Sequence, residues 1–268
     1  MNKIQLANGM TVAYREAGSG QTIVVLHGFC GGSRYWEDAL PYLSAYGRVI
    51  APDLRGHGQS SAGEGTYSME LLADDIAGLM DALDVPKAHL IGHSLGGYVA
   101  LAFAEKHPER LLSLGLAHST SYPDTEAAQE NRLKAVETIK TQGVAKFVEG
   151  LVPKLFAPEH RDNPTGQLRK AIEIGYETSA EGAVGCALGM RERPDRLRML
   201  HSTELPILLL AGEFDEVIPP EKRFPVEGDN VTAVTLPGVG HMGMMEAPEP
   251  FATAIGHFLE RNWGTAGV

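Results

Sequence analysis

The sequence predicts an α/β protein, with a mostly parallel central sheet flanked by helices and a helical cap inserted between two strands. Three observations carry that reading. Short, continuous apolar runs alternate with helical patterns up to about residue 118. From about 120 to 200 the alternation stops and helix-like segments follow one another. Strand-like runs then return, and one last helix closes the chain. Strands apolar on both faces that alternate with helices belong to parallel sheets covered on both sides.

Each element has its own signal. "IQLANGMTVAYREAG" sets Asn8-Gly9 between two short segments able to pair, which predicts an opening hairpin with a type I′ turn. "TIVVLHG" (22 to 28) and "RVIAPDL" (48 to 54) are runs fit for buried central strands. In "YSMELLADDIAGLMDALDV", Leu72, Ile76, Leu79, Met80 and Leu83 share one helical face and acids take the other. "AHLIGHS" reads as a strand, "LGGYVALAFAEKHP" as a helix stopped at Pro108, and "RLLSLGLAH" as a strand ending near His118.

Within the insertion, one helix ends at Gly143 and a second carries Val144, Phe147, Val148 and Leu151. A third opens with Thr178 and Glu181 at capping-box spacing. The basic stretch "RERPDRLR" (191 to 198) reads as a solvated, salt-bridged connector. "PILLLAG" (206 to 212), "VTAVTLPG" (231 to 238) and the helix "PEPFATAIGHFLERN" complete the core. The expected organisation is therefore a core of residues 1–119 and 201–268 with a cap of residues 120–200.

Composition narrows the function. At 268 residues, with 43% hydrophobic and 21% charged, the chain can build one large core. A formal charge of −11 opposes phosphate backbones and anionic lipid, so neither nucleic acid nor a membrane surface is expected as a partner. A local basic pocket could override that total. Two cysteines, Cys30 and Cys186, make no disulfide framework and no metal-ligand spacing, and read as buried free thiols. With no signal-peptide core and no spanning apolar run, the expected location is cytoplasmic. No feature commits to an oligomeric state.

"LIGHSLGGYV" (90 to 99) is the stretch where chemistry competes with packing. Ser94 lies among Gly92, Gly96 and Gly97, at the junction of a predicted strand and a predicted helix. That context raises a G-x-S-x-G match above coincidence. A serine in so sharp a turn presents its hydroxyl beyond the sheet edge, and the helix start adds amide donors and a positive dipole end. Gly92 and Gly96 are expected to be needed because a Cβ at either would collide across the turn.

With "LHGFCGG", "DLRGHGQS", "GHSLGG", "AGEFDEVIPP" and "GVGHMGMMEAPE" in that order, nearly the whole chain resembles the α/β-hydrolase family. The resemblance implies a Ser94, Asp215, His241 triad, in the nucleophile–acid–base order of that fold. His241 would be the base that takes the Ser94 proton, and Asp215 would fix its tautomer. Asp124 is where some relatives carry the acid, and Glu213 and Glu216 flank Asp215. Among the other histidines, His27 resembles the family's loop-bracing residue. His93 neighbours the nucleophile but points elsewhere, and His57, His89 and His107 read as structural.

The oxyanion donors would be the backbone N–H groups of Phe29 and Leu95. Asp53 and Arg55 would brace the "DLRGHGQS" turn, and Cys30 would be a packed thiol. Phe29, Tyr122, Phe147, Leu151 and Met242 are candidates for the substrate pocket, with Leu155 and Phe156 as further apolar lining. No metal and no organic cofactor is implied, only a small acyl substrate and water.

The expected function is hydrolysis of a small carboxylic ester, lactone or thioester through an acyl-enzyme. Enol-lactone and C–C bond hydrolases of aromatic degradation share the layout. Glu126, Glu130, Glu149 and Glu173 would suit an aminopeptidase cap, although helix-surface charge explains them as well. A small-molecule receptor on the same fold is the non-enzymatic alternative.

Overall fold

A computed structural model describes residues 1–162 and 166–262. Its sheet contains β1 (Asn2–Gln5), β2 (Thr11–Ala17), β3 (Thr22–Leu26), β4 (Arg48–Pro52), β5 (Ala88–His93), β6 (Leu111–Ala117), β7 (Ile207–Gly212) and β8 (Val231–Leu236). They lie in the order β1-β2-β4-β3-β5-β6-β7-β8. The first two strands are antiparallel to their neighbours, and all later pairs are parallel. Every residue of β3, β5 and β7 is buried, as expected of strands covered on both faces. β8, at the edge, alternates half-buried and exposed positions.

Helices shield both faces. Helix Met69–Ala82 begins at Ser68, whose hydroxyl accepts the Leu71 N–H at 3.1 Å, and buries Leu72, Ile76, Leu79 and Met80. Helix Leu95–Lys106 is buried from Leu95 to Ala104, packed between β5, β6 and helix Met69–Ala82. The three parallel strands β3, β5 and β6 thus end side by side at one edge, under the insertion between β6 and β7.

The opening hairpin forms, but its turn is not type I′. Asn8 keeps a negative φ, and only Gly9 is left-handed, at φ 84°. Gly9 N–H donates to the Leu6 carbonyl at 2.9 Å and Leu6 N–H to Met10 at 2.7 Å, a three-residue loop ending in a glycine bulge. The Asn8 side chain explains the choice: its Oδ1 accepts the Met10 N–H, and its Nδ2 donates to Asp75.

The insertion contains helices Glu126–Leu151, Gly166–Tyr176, Ala180–Glu192 and Leu197–Ser202. At Gly143 the first of them breaks, with the non-helical φ 86° and ψ 163°, so the expected helix end is there and two helices meet at a kink. The cap of helix Ala180–Glu192 is Ser179, not Thr178. Ser179 Oγ accepts the Gly182 N–H at 2.9 Å, which leaves Glu181 outside any capping box. That helix meets the core through a glycine face. A Cβ on Gly182 would lie 2.2 Å from the Gly56 carbonyl oxygen, one on Gly185 2.8 Å from the Tyr67 ring, and one on Gly189 1.7 Å from the Tyr67 carbonyl oxygen.

The stretch from 191 to 198 is salt-bridged, as expected, but only partly solvated: Glu192, Pro194, Asp195 and Arg198 are exposed. Arg193 and Arg196 are buried. Arg196 reaches Glu70 and Glu105 on two core helices, and Arg193 pairs with Asp124 at 2.6 Å. Among the described residues no helix is long and apolar enough to cross a membrane.

Candidate active site

Backbone strain marks the end of the sheet first. Of the four non-glycine residues with positive φ among those described, Cys30, Ser94 and His118 stand directly beyond or near the ends of β3, β5 and β6. Such conformations cost about 1–3 kcal/mol each and persist where the surroundings over-determine them. At Ser94 (φ 52°, ψ −114°) the chain turns from β5 into helix Leu95–Lys106. A Cβ on Gly92 would sit 2.1 Å from the Gly96 carbonyl oxygen, so that glycine is required across the turn as expected. Gly96 is required for another reason, because its Cβ would strike Leu26 on the neighbouring β3. Gly97 makes room for Ser119, whose hydroxyl donates to the Ser94 carbonyl at 2.8 Å.

The other two members of the expected trio come from the loops after β7 and β8. His241 Nδ1 lies 2.8 Å from Asp215 Oδ2, and both side chains are buried. Asp215 Oδ1 accepts the Val217 and Ile218 amides at 2.8 and 3.0 Å. Burial opposes ionisation of Asp215, but the charge of His241 and hydrogen bonds from His118 and His241 outweigh it. Its carboxyl is held far below the usual carboxylate range. Its carbonyl is gripped by Arg223 Nη2 at 2.6 Å. Asp124, in contrast, points to Arg132 and Arg193, and Glu216 pairs with Arg161, so neither reaches His241.

Ser94 and His241 line one cavity of about 70 Å³. Neither Ser94 Oγ nor His241 Nε2 has a hydrogen-bond partner among the described residues, so the bond between them is not made in this structure. Phe29, Tyr35, Tyr98 and Val217 form its sides, and Leu151, Leu155, Met190 and Arg132 close it from the insertion and its flanks. Phe29 and Leu151 are therefore brought to the cavity. Phe147 stands behind Phe29, with ring centroids 5.7 Å apart, Tyr122 lies under Lys222, and Met242 is fully buried in the core. None of those three lines the space, and neither does the buried Phe156.

The loop after β3 is a turn closed by Gly31 N–H donating to Gly28, with Phe29 and Cys30 at its corners. Phe29 N–H and Leu95 N–H donate to no protein group among the described residues. His27 sets this loop: its Nδ1–H donates to the Gly28 carbonyl at 2.8 Å and its Nε2 accepts the Leu54 N–H at 2.9 Å. Both contacts suit a neutral ring, and burial lowers its pKa. Asp53 accepts Ser33 and Gln59 amides, and Arg55 makes two bonds to Asp75, so these two knit loops rather than face the cavity. Burial pushes the Cys30 thiol well up, which leaves it a packed thiol; Cys186 is likewise free and buried.

A family model of the alpha/beta hydrolase fold matches residues 21–248. The chain belongs to this family. A thermophilic esterase from Thermogutta terrifontis superposes on it with a TM-score of 0.92 and 33% identity, covering 98% of this chain and 99% of that one. The 2-(acetamidomethylene)succinate hydrolase of Mesorhizobium japonicum is 30% identical over 94% of this chain and 92% of its own. The dihydrolipoyllysine-residue acetyltransferase component of the acetoin cleaving system of Pseudomonas putida is 32% identical over 91% of this chain. This chain spans 64% of that relative's length.

Three groups at the site of this α/β-hydrolase escape a reading of the sequence. His93 Nε2–H donates to the His241 carbonyl at 2.8 Å and so anchors the histidine loop. Burial, then the charges of His241 and His118, push its pKa well down. His118 Nδ1 lies 3.3 Å from Asp215 Oδ2, a second imidazole on the same carboxylate oxygen, and burial lowers its pKa too. Glu246 accepts the Gly240 and Met242 amides with Oε1, and the Ala157 amide and His160 with Oε2, joining the histidine loop to the insertion. Only His93, inside the serine turn, carried a local signal.

His118, Asp215 and His241 also bring possible ligand atoms within 4.8 Å of one another. Both nitrogens contact Asp215 Oδ2 directly, and the 2.8 Å from His241 is hydrogen-bond length. Protons rather than an ion account for that geometry.

Proposed function

We propose that this α/β-hydrolase is a serine hydrolase that cleaves a small carboxylic ester through an acyl-enzyme on Ser94. The observation that carries the reading is the strained, unpartnered Ser94 hydroxyl sharing a cavity with a His241 ring whose far nitrogen is fixed on Asp215. Likeness to the Thermogutta terrifontis esterase over nearly the whole of both chains supports it.

Ser94 Oγ attacks the ester carbonyl carbon while His241 Nε2 takes the hydroxyl proton. The Phe29 and Leu95 amides stabilise the oxyanion, each worth about 3 kcal/mol in the transition state. As the tetrahedral species collapses, His241 returns the proton to the departing alkoxide and the alcohol leaves. Water then gives a proton to His241, attacks the acyl carbon, and releases the acid as Ser94 regains its proton. Asp215 keeps Nδ1 protonated and stabilises the imidazolium throughout. A cavity of about 70 Å³ suits a short acyl group, being well under the few hundred Å³ of a drug-sized pocket. Residues 120–200 act in this reading as the cap that closes the site.

A fluorophosphonate probe tests the proposal. It should label the protein at Ser94, and Ser94→Ala should abolish labelling and lower p-nitrophenyl acetate turnover by on the order of a millionfold. Undiminished turnover in Ser94→Ala would overturn it.

A further inference from the structure

Arg132, from helix Glu126–Leu151, is the one Arg, Lys, Asp or Glu side chain lining the Ser94 cavity among the described residues. Its Nε bonds Asp124 Oδ2 at 3.0 Å, and its remaining guanidinium N–H donors meet no protein acceptor among those residues. Asp124 does not neutralise it. The same carboxylate already holds Arg193 Nη1 at 2.6 Å on its other oxygen, so two guanidinium groups share one negative charge. Arg193 is the structural partner of the two. It is buried, donates to the Met190 and Tyr122 carbonyls, and stacks over the Tyr98 ring at 3.9 Å. Arg193 Nε is also without a partner among the described residues, but it is buried and Arg193 does not line the cavity, whereas Arg132 brings its unspent donors to the cavity.

We propose that Arg132 is a carboxylate-binding group, and that the preferred substrates are short esters whose acyl part ends in a carboxylate. This rests on the Ser94 reading above. A guanidinium presents paired donors matched to a carboxylate, and hydrogen bonds between such charged partners are roughly twice as strong as neutral ones. Asp124 holds Nε and so fixes the orientation of the fork, while Arg193 holds Asp124. Apolar neighbours, among them Leu151, Leu155 and Met190, offer an anion no competing partner. A net charge of −11 on the whole chain gives no general attraction for anions, so selection falls to this local group. The small volume sets the carboxylate and the reacting carbonyl a short chain apart.

The test compares monomethyl succinate with dimethyl succinate, which differ in one charge at nearly the same size. At pH 8 the wild type should prefer the monoanion in kcat/KM by about tenfold to a hundredfold. In Arg132→Gln that ratio should fall to near one, and Arg132→Lys should keep part of it. Succinate should inhibit p-nitrophenyl acetate turnover competitively, and calorimetry should show its binding weakened about tenfold or more in Arg132→Gln. Wild-type preference for the diester, or no succinate binding, overturns the proposal even if no variant folds. If succinate binds through Arg132 but no ester is cleaved, the Ser94 reading falls and the carboxylate site stands. If esters are cleaved without charge preference, the reverse holds.

Discussion

The floor and the roof of the cavity are built on opposite electrostatic plans. The floor is the end of the sheet, where His27, His57, His93 and His118 are buried and have lowered pKa values. Imidazoles there act as neutral hydrogen-bond spacers, holding the Gly28 turn, the His241 carbonyl and the Asp215 carboxylate. The roof instead relies on guanidinium groups that stay charged at any working pH. Arg193 and Arg132 meet at Asp124, while Arg196 ties the insertion to the core helices. Neutral spacers fix reacting groups without altering their charge balance. Permanent cations suit the job of choosing what comes in. The two halves are pressed together along the glycine face of helix Ala180–Glu192, so the division depends on that seam.

Opening the seam is the most severe way to break the pairing. Gly189→Ala places a methyl 1.7 Å from the Tyr67 carbonyl oxygen, where backbone rather than a flexible side chain must yield. Overpacking of this kind should cost about 3 kcal/mol in urea unfolding. Gly150→Ala is the control: it lies in a helix of the same insertion, and its added methyl would meet nothing within 4 Å. It should stabilise by roughly 0.5–1 kcal/mol through lower unfolded-state entropy and better helix propensity. Equal effects of the two changes would show that the glycine face bears no structural load.

The floor was more legible in the sequence than the roof, and the reason is range. At Gly92 the crowding comes from Gly96, four positions away, so the need for glycine is written locally. Gly96 already shows the limit, because its requirement comes from Leu26 on another strand. Thr178 and Ser179 offer the same capping chemistry one residue apart, and only the path of the chain past Gly56, whose carbonyl accepts from Ser179, selects the second. Asn8-Gly9 carries a turn signal, yet Asp75, 67 positions away, helps choose its type. Arg132 looks like any surface charge on its helix until Asp124 and Arg193 converge on it. Glu246 likewise gains its role only where the histidine loop meets Ala157 and His160.

Acid should separate the two halves by a smaller amount. His57 is pushed down to about 3 by burial first and by His27 second, against an ordinary value of 6.5. The unfolded chain therefore takes up a proton there that the folded chain refuses. Stability from this group is complete above about pH 6.5 and falls as pH drops toward 3, by on the order of 2 kcal/mol at pH 5. His27, His93 and His118 act with the same sign, whereas the arginines of the roof do not titrate. Urea unfolding at pH 7.5 and pH 5 should show the loss, and His57→Asn should flatten it. A stability that does not change between those two pH values would contradict the neutral floor.

The finest distinction lies within the floor, between the two imidazoles on Asp215 Oδ2. His241, at 2.8 Å, also faces the cavity, whereas His118, at 3.3 Å, is walled off by Phe251 and Gly243. A Cβ on Gly243 would lie 2.5 Å from His118 Nε2, so the ring fills its space and that nitrogen has no polar partner. His118 can thus hold the carboxylate but cannot exchange protons with substrate. Its backbone φ of 48° tolerates asparagine better than most residues. His118→Asn removes the ring, and His118→Phe keeps an aromatic ring while deleting the donor. If the second bond positions Asp215 for His241, both variants should lower ester kcat by about tenfold, the worth of one hydrogen bond to a charged group, with KM little changed. A rise in KM at constant kcat would instead assign His118 to the pocket wall, and the separation between spacer and selector would no longer follow the line between floor and roof.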